Sequence, residues 1–222
     1  MKTNQTELVF ILDRSGSMCG MEGDTIGGFN AMLEQQRALP GLCRITTVLF
    51  NERPMTLHDR LDVQAVRALS AKEYSVGGCT ALLDAVGSTI HKIRKVVSAS
   101  AEGHKPDKVM FVITTDGMEN ASHEYSVGQI QKMIETQKAE FGWEFLFLGA
   151  NIDAVNVAEK MGIHHSRAAQ FHNDSKGIEK NYIVLANTVS TFRMAECEDA
   201  LPDQWADEIR EDFESRNAPE SA

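Results

Sequence analysis

Glu7-Leu8-Val9-Phe10-Ile11-Leu12-Asp13 is followed at once by Arg14-Ser15-Gly16-Ser17, and this segment sets the fold class. Five consecutive apolar residues, branched or aromatic, show no in-and-out alternation. Such a run reads as a strand covered on both faces rather than as one with a solvent side. Coverage on both faces asks for helices above and below a mostly parallel sheet. The run stops at a carboxylate and opens into a short loop of hydroxyls and glycine.

Working outward, the same grammar recurs. Residues 43–50 (CRITTVLF), 108–116 (KVMFVITTD) and 143–150 (WEFLFLGA) are further buried-type strands, and 166–171 reads as a short last one. Residues 51–54 look like a turn, after which 55–58 returns as a short antiparallel edge strand. Between the strands the apolar period lengthens. Asp24 can cap a helix carrying Ile26, Phe29, Leu33 and Gln36, which ends near Pro40-Gly41. Residues 62–69 read as a short helix. Leu82, Val86, Ile90, Ile93 and Val97 mark a long helix, Val127, Ile130 and Ile134 another, and 154–161 a third. Ile178, Tyr182, Leu185, Val189 and Phe192 line one more. Strands alternating with helices predict a doubly wound α/β fold: a mostly parallel central sheet with helices on both faces. Ligands in such folds bind beyond the carboxyl ends of the strands. The loops to inspect therefore follow Asp13, precede the helix at Thr80, and follow Asp116.

Composition sets the outer bounds. The chain has 222 residues, 42% hydrophobic and 24% charged, which suits one soluble α/β domain with a tail to spare. No apolar run approaches the roughly 18 residues that would span a bilayer. The Leu8–Leu12 run is too short for a signal-peptide core, so a cytoplasmic location is expected. Cys19, Cys43, Cys79 and Cys197 form no CxxC pair, and free, mostly structural thiols fit a reducing compartment. The net charge is −10, yet residues 196–222 hold ten acidic and two basic side chains. The rest is almost neutral and has no basic stripe, so neither nucleic acid nor membrane is an expected partner. The reading divides the chain into a domain at 1–195 and an acidic helix or tail at 196–222. In that tail Trp205, Ile209 and Phe213 recur every fourth residue, a short amphipathic helix that docks on the domain or on another chain.

Asp13, Ser15, Ser17, Thr80 and Asp116 carry the chemistry. The two carboxylates each follow a strand directly and should emerge at one edge of the sheet. Two carboxylates and three hydroxyls make an all-oxygen set. That set suits Mg2+, Mn2+ or Ca2+ and does not suit zinc or copper. Two facing carboxylates repel when both are charged, and a cation between them relieves the repulsion.

At these residues the sequence resembles a known family. Asp13, Ser15 and Ser17 match the DxSxS signature of the metal-ion-dependent adhesion site of von Willebrand factor A (VWA) and integrin I domains. Gly77-Gly78-Cys79-Thr80 resembles the GGT-like loop that supplies its threonine, with Cys79 as an insertion. Thr115-Asp116-Gly117 resembles its TDG element. The resemblance covers roughly residues 7 to 165, in motif order and in strand–helix order. It implies that Ser15, Ser17 and Thr80 coordinate one cation, Mg2+ in the first instance, through their hydroxyls. Asp13 and Asp116 would act directly or through water. One coordination position would be left for a carboxylate of a protein partner presenting Asp or Glu. It further implies a binding module, not an enzyme. No histidine is placed by sequence beside Ser15 or Ser17, and no G-x-S-x-G elbow occurs. The alternative is a metal-dependent phosphohydrolase of the haloacid dehalogenase type. Such an enzyme needs a second aspartate two positions after the first, where Ser15 stands.

Around this set, several residues keep two readings. Arg14 either steers a partner carboxylate or is a solvated surface arginine. Met18, Met21 and Met118 form an adaptable apolar rim or pack beneath their own loops. Glu119, with Asn120, reaches the site from outside or caps its loop. His164, His165 and His172 have no matching ligand pattern and read as surface or sheet-end histidines. Cys19 and Cys79 either approach closely enough to respond to oxidation or are small buried residues that merely pack.

Overall fold

The computed structural model describes residues 5–195 and 201–218. Six strands, β1 (Gln5–Asp13), β2 (Leu42–Phe50), β3 (Pro54–Asp62), β4 (Lys108–Thr115), β5 (Glu144–Ala150) and β6 (Ala168–Phe171), form one sheet in the order β3-β2-β1-β4-β5-β6. Only β3 runs antiparallel to its neighbour. The helices are α1 (Glu22–Arg37), α2 (Leu82–Ala99), α3 (Val127–Phe141), α4 (Ala154–Lys160), α5 (Ser175–Met194) and α6 (Asp207–Asn217). Among the described residues no helix is long and apolar enough to cross a membrane.

The opening run does what its lack of alternation predicts. Leu8, Phe10 and Leu12 enter the core beneath α1 and α5. Val9 and Ile11, one residue out of step, enter the opposite core beneath α2, α3 and α4. Every second side chain points to the other face, and both faces are full. The strand order reverses between β1 and β4, with Leu12 of one beside Thr114 of the other. The crevice at that reversal, beyond the carboxyl ends, is where Asp13 and Asp116 emerge.

Three points differ from the sequence reading: α1 starts at Glu22, so Asp24 lies in its first turn and does not cap it. The edge strand is longer than residues 55–58, because its pairing with β2 continues through register shifts as far as Asp62. Residues 62–69 form no helix beyond the strand end. Val63, Val66 and Leu69 are buried at a spacing of three that imitates a helix. Their backbone is held instead by side chains of α1. Arg37 donates to the carbonyls of Val63 and Val66. Asn30 pairs with both the N–H and the C=O of Leu69, at 2.8 and 2.9 Å. With those groups satisfied from outside, an irregular path is as well hydrogen-bonded as a helix. It carries the chain from the antiparallel edge back to α2.

The far edge is covered by residues 201–218. Leu201, Trp205, Ala206 and Ile209 are buried in the α1/α5 core. Trp205 Nε1 donates to Ser166 O at 2.7 Å, and Arg210 Nη2 to Ser166 O at 3.0 Å. Arg210 Nη2 also donates to Ala168 O at 3.3 Å, a carbonyl of β6 that would otherwise lie on an open strand edge. Phe213 stacks on His172 with ring centroids 4.6 Å apart. Cys197 lies outside the described residues.

Candidate functional site

Three loops meet at the carboxyl ends of β1 and β4. The loop after β1 makes one 3-10 turn over Gly16–Met18. It is bound to the loop before α2 through backbone alone: Gly16 N–H donates to Gly78 O at 3.0 Å, and Gly77 N–H to Arg14 O at 2.9 Å. Gly78 has φ +79°, a conformation that costs glycine little and other residues more. Asn51, after β2, braces this junction by donating to Gly77 O at 2.9 Å and accepting from Ala81 N–H at 2.8 Å.

The side chains follow from that scaffold. Asp13 is buried, and both of its oxygens are taken: Oδ1 accepts from Ser15 N–H at 2.7 Å and Oδ2 from Thr115 Oγ1 at 2.6 Å. Tyr74 Oη donates to its carbonyl at 2.5 Å. Ser15 Oγ lies 3.0 Å from Ser17 Oγ, and Ser17 Oγ donates to Asp116 Oδ1 at 2.5 Å. Thr80 is held by its backbone, donating to Asn120 Oδ1 at 2.9 Å and accepting from Asn120 N–H at 3.1 Å. Its hydroxyl faces the same space. A Cβ built on Gly117 would lie 3.1 Å from Ser17 Oγ, 3.2 Å from Thr80 Oγ1 and 3.9 Å from Ser15 Oγ. Three hydroxyls from two loops therefore surround a point that a side chain at Gly117 would fill. Ser17 is exposed, whereas Ser15, Thr80 and Asp116 are buried, so the cradle opens to solvent past Ser17.

This donor set fits a hard divalent cation: neutral hydroxyl oxygens beside a carboxylate, with no nitrogen or sulfur. Among the described residues no group of three or more His, Cys, Asp or Glu side chains could hold a metal ion. The exposed rings of His164 and His165 lie against each other, 3.9 Å between centroids.

The electrostatics carry the same signature. Burial raises the Asp116 carboxyl to about 6; the nearby charge of Asp13 adds to this, and hydrogen bonds from Ser17 and Asn173 oppose it. Burial also raises Asp13, against the hydrogen bonds from Thr115 and Ser15. The folded chain thus holds these protons more tightly than the unfolded chain does. Metal-free protein gains stability as pH falls through about 6 toward the ordinary carboxylate value of 3.8, and lacks that contribution above it. Asp116→Asn, near-isosteric and neutral, is expected to raise the melting temperature in chelator at pH 7.5 and to flatten this pH slope. Melting curves across the range check it. A lower midpoint for D116N at pH 7.5 would contradict the expectation.

The residues read as a rim separate. Met118 is 71% exposed, but Met18 is 4% exposed and turns under its loop beside Leu12 and Asp13. Met18 is therefore corrected from rim to core: the 3-10 turn points it inward. Met21 is half-buried against the same core. Glu119 spends its carboxylate on the start of α2 and on its own loop, accepting from Leu83 N–H at 2.9 Å and from Ser122 N–H at 2.8 Å. Arg14 is half-buried, with Nε buried and unpartnered. Cys19 and Cys79 are free but exposed, not packed away, because the Gly-rich turns that carry them lie on the surface.

One contact has no counterpart in the sequence reading. Asn173, between β6 and α5, donates from Nδ2 to Asp116 Oδ2 at 2.8 Å. No motif marks it; its only signal is that β6 ends at the same edge of the sheet.

No sequence-family model and no curated protein matches this chain. Solved structures do. A von Willebrand factor type A protein from Catenulispora acidiphila aligns over 84% of this chain and 42% of its own, at 14% identity and a TM-score of 0.57. The ArnB paralog VWA2 from Sulfolobus acidocaldarius aligns over 84% and 45%, at 17% identity and a TM-score of 0.55. Proximal thread matrix protein 1 from the mussel byssus, with its metal-ion-dependent adhesion motif occupied by zinc, aligns over 84% and 46%, at 11% identity and a TM-score of 0.57. The chain spans less than half the length of these three. Its fold is that of von Willebrand factor A domains.

Proposed function

We propose that this chain, on the premise of its VWA fold, is a binding module that holds one Mg2+ or Mn2+ on Ser15, Ser17, Thr80 and Asp116. The cation captures an Asp or Glu carboxylate of a protein partner. The observation that carries the reading is the convergence of three hydroxyls beside Gly117 with Asp116 at hydrogen-bond distance from one of them. Asp13 accepts from the backbone of its own loop and from Thr115 of β4, tying the two strand ends together, so its part is to shape the loop and to add negative charge from behind. One carboxylate and neutral hydroxyls leave a divalent ion short of negative charge, and a partner carboxylate supplies it. The exposed side past Ser17 is the approach, with Met118 projecting beside it. Two exposed free thiols suit a reducing, cytoplasmic setting.

A phosphohydrolase is less well supported. Its nucleophile would be Asp13, which is 2% exposed and already accepts two hydrogen bonds, and no carboxylate stands at Ser15. The test of the binding reading is retention of a partner protein on the immobilised chain in Mg2+, in excess EDTA, and with Thr80→Ala. Retention is expected in Mg2+ alone. The Thr80 backbone contacts survive the substitution, so the variant should keep its fold and lose its partner. Binding that persists in EDTA would refute carboxylate capture through a cation.

A further inference from the structure

A fourth loop borders the site. β6 ends at Phe171, and the turn of 172–174 brings Asn173 over the carboxyl end of β4, although β5 lies between the two strands. Asn173 Nδ2 reaches Asp116 Oδ2 at 2.8 Å and approaches Ser17 O at 3.4 Å. The other Asp116 oxygen accepts from Ser17 Oγ. Each oxygen of that carboxylate thus has one donor from a different loop, and the plane of the carboxylate is fixed.

Asn173 is itself held in place. Its neighbour Asp174 caps α5, accepting from Gly177 N–H at 2.8 Å, and is ion-paired with Arg216 of α6. Ser175 Oγ donates to Asp24 Oδ2 of α1 at 2.7 Å. Gly177 packs so closely on the turn that a Cβ there would meet His172 O at 2.1 Å. A side chain on so constrained a turn does not reach Asp116 by free rotation of a surface loop. Asn173 Oδ1 is buried and has no hydrogen-bond partner. An orphaned buried carbonyl oxygen calls for an explanation, and a site for a hydrated cation next to it provides one.

We propose that Asn173 is a positioning residue of the cation site, orienting Asp116 for the ion while adding no charge of its own. Neutrality matters here: a donor holds the carboxylate charged, and a third carboxylate would supply the negative charge that the partner is meant to bring. The inference rests on the cation-binding reading above.

The test is calorimetric titration of metal-stripped full-length chain with Mn2+, comparing wild type, Asn173→Ala and Asn173→Asp, with circular dichroism to establish folding. Loss of a residue that orients a ligand typically costs about 10–100-fold in metal affinity, so Asn173→Ala is expected to bind Mn2+ about tenfold or more weakly. N173D keeps the size of the side chain but faces Asp116 with a like charge. It is expected to melt lower than wild type in chelator and to gain more from saturating Mn2+ than wild type gains. A residue that only anchors the turn would lower the melting temperature of both variants and leave Mn2+ affinity unchanged. Wild-type affinity in N173A overturns the proposal. Should N173A not fold, an equal Mn2+-induced gain for N173D and wild type overturns it alone. If wild type itself takes up no Mn2+, the cation-binding reading fails and this inference with it. If wild type binds and the Asn173 variants match it, only this inference fails.

Discussion

Gly117→Ala is expected to weaken Mn2+ binding about tenfold or more, equivalent to about 1.4 kcal/mol, while leaving the fold intact. The added methyl would stand 3.1 Å from Ser17 Oγ and 3.2 Å from Thr80 Oγ1. Both are closer than carbon and oxygen comfortably sit, so the hydroxyls must give by a few tenths of an ångström. Metal–ligand distances tolerate about 0.2 Å. The shift falls on two of the ligands together, and the methyl also takes part of the space the ion needs. Stability should respond differently. Gly117 does not lie in the left-handed region, so alanine meets no backbone strain there, and it restricts the unfolded chain slightly. Calorimetry with Mn2+ and thermal melts in chelator separate the two effects. A Gly117→Ala variant with wild-type affinity would mean that the hydroxyls surround no ion.

The strands and the residues of the cradle are legible in the sequence for one physical reason. β1 and β4 are continuous buried runs that give way abruptly to a carboxylate, Asp13 and Asp116, so the strand end and the functional loop are marked by the same transition. Asp13 and Asp116 are placed at one sheet edge by the sequence, because parallel strands put their carboxyl ends together, and Thr80 is marked by the Gly77-Gly78 turn that opens α2. Residues 62–69 were misleading because Val63, Val66 and Leu69 repeat every third position whether the backbone coils or not. What decides the matter is Asn30 and Arg37, more than twenty residues away in sequence, which satisfy that backbone from α1. Met18 was ambiguous for a related reason: a single 3-10 turn decides whether a loop methionine faces solvent or core, and composition does not encode it. Asn173 was invisible. It belongs to no motif, and its contact with Asp116 depends on the close approach of α5 to the turn at His172, a tertiary feature with no local period.

Asp116 accepts from the Ser17 hydroxyl of the cradle, and removing it takes away a negative charge in direct contact with that cradle. Loss of a residue that merely supports a ligand costs about 10–100-fold in affinity, so Asp116→Ala is expected to cost more than about 100-fold. Its fold should persist, since metal-free protein is relieved of a buried carboxyl raised to about 6. The most direct test is therefore a calorimetric count of Mn2+ on metal-stripped wild type and on Asp116→Ala at neutral pH. One ion per wild-type chain and no measurable binding to the variant are expected. Binding to D116A with wild-type stoichiometry and affinity, or no binding to wild type, would contradict that expectation.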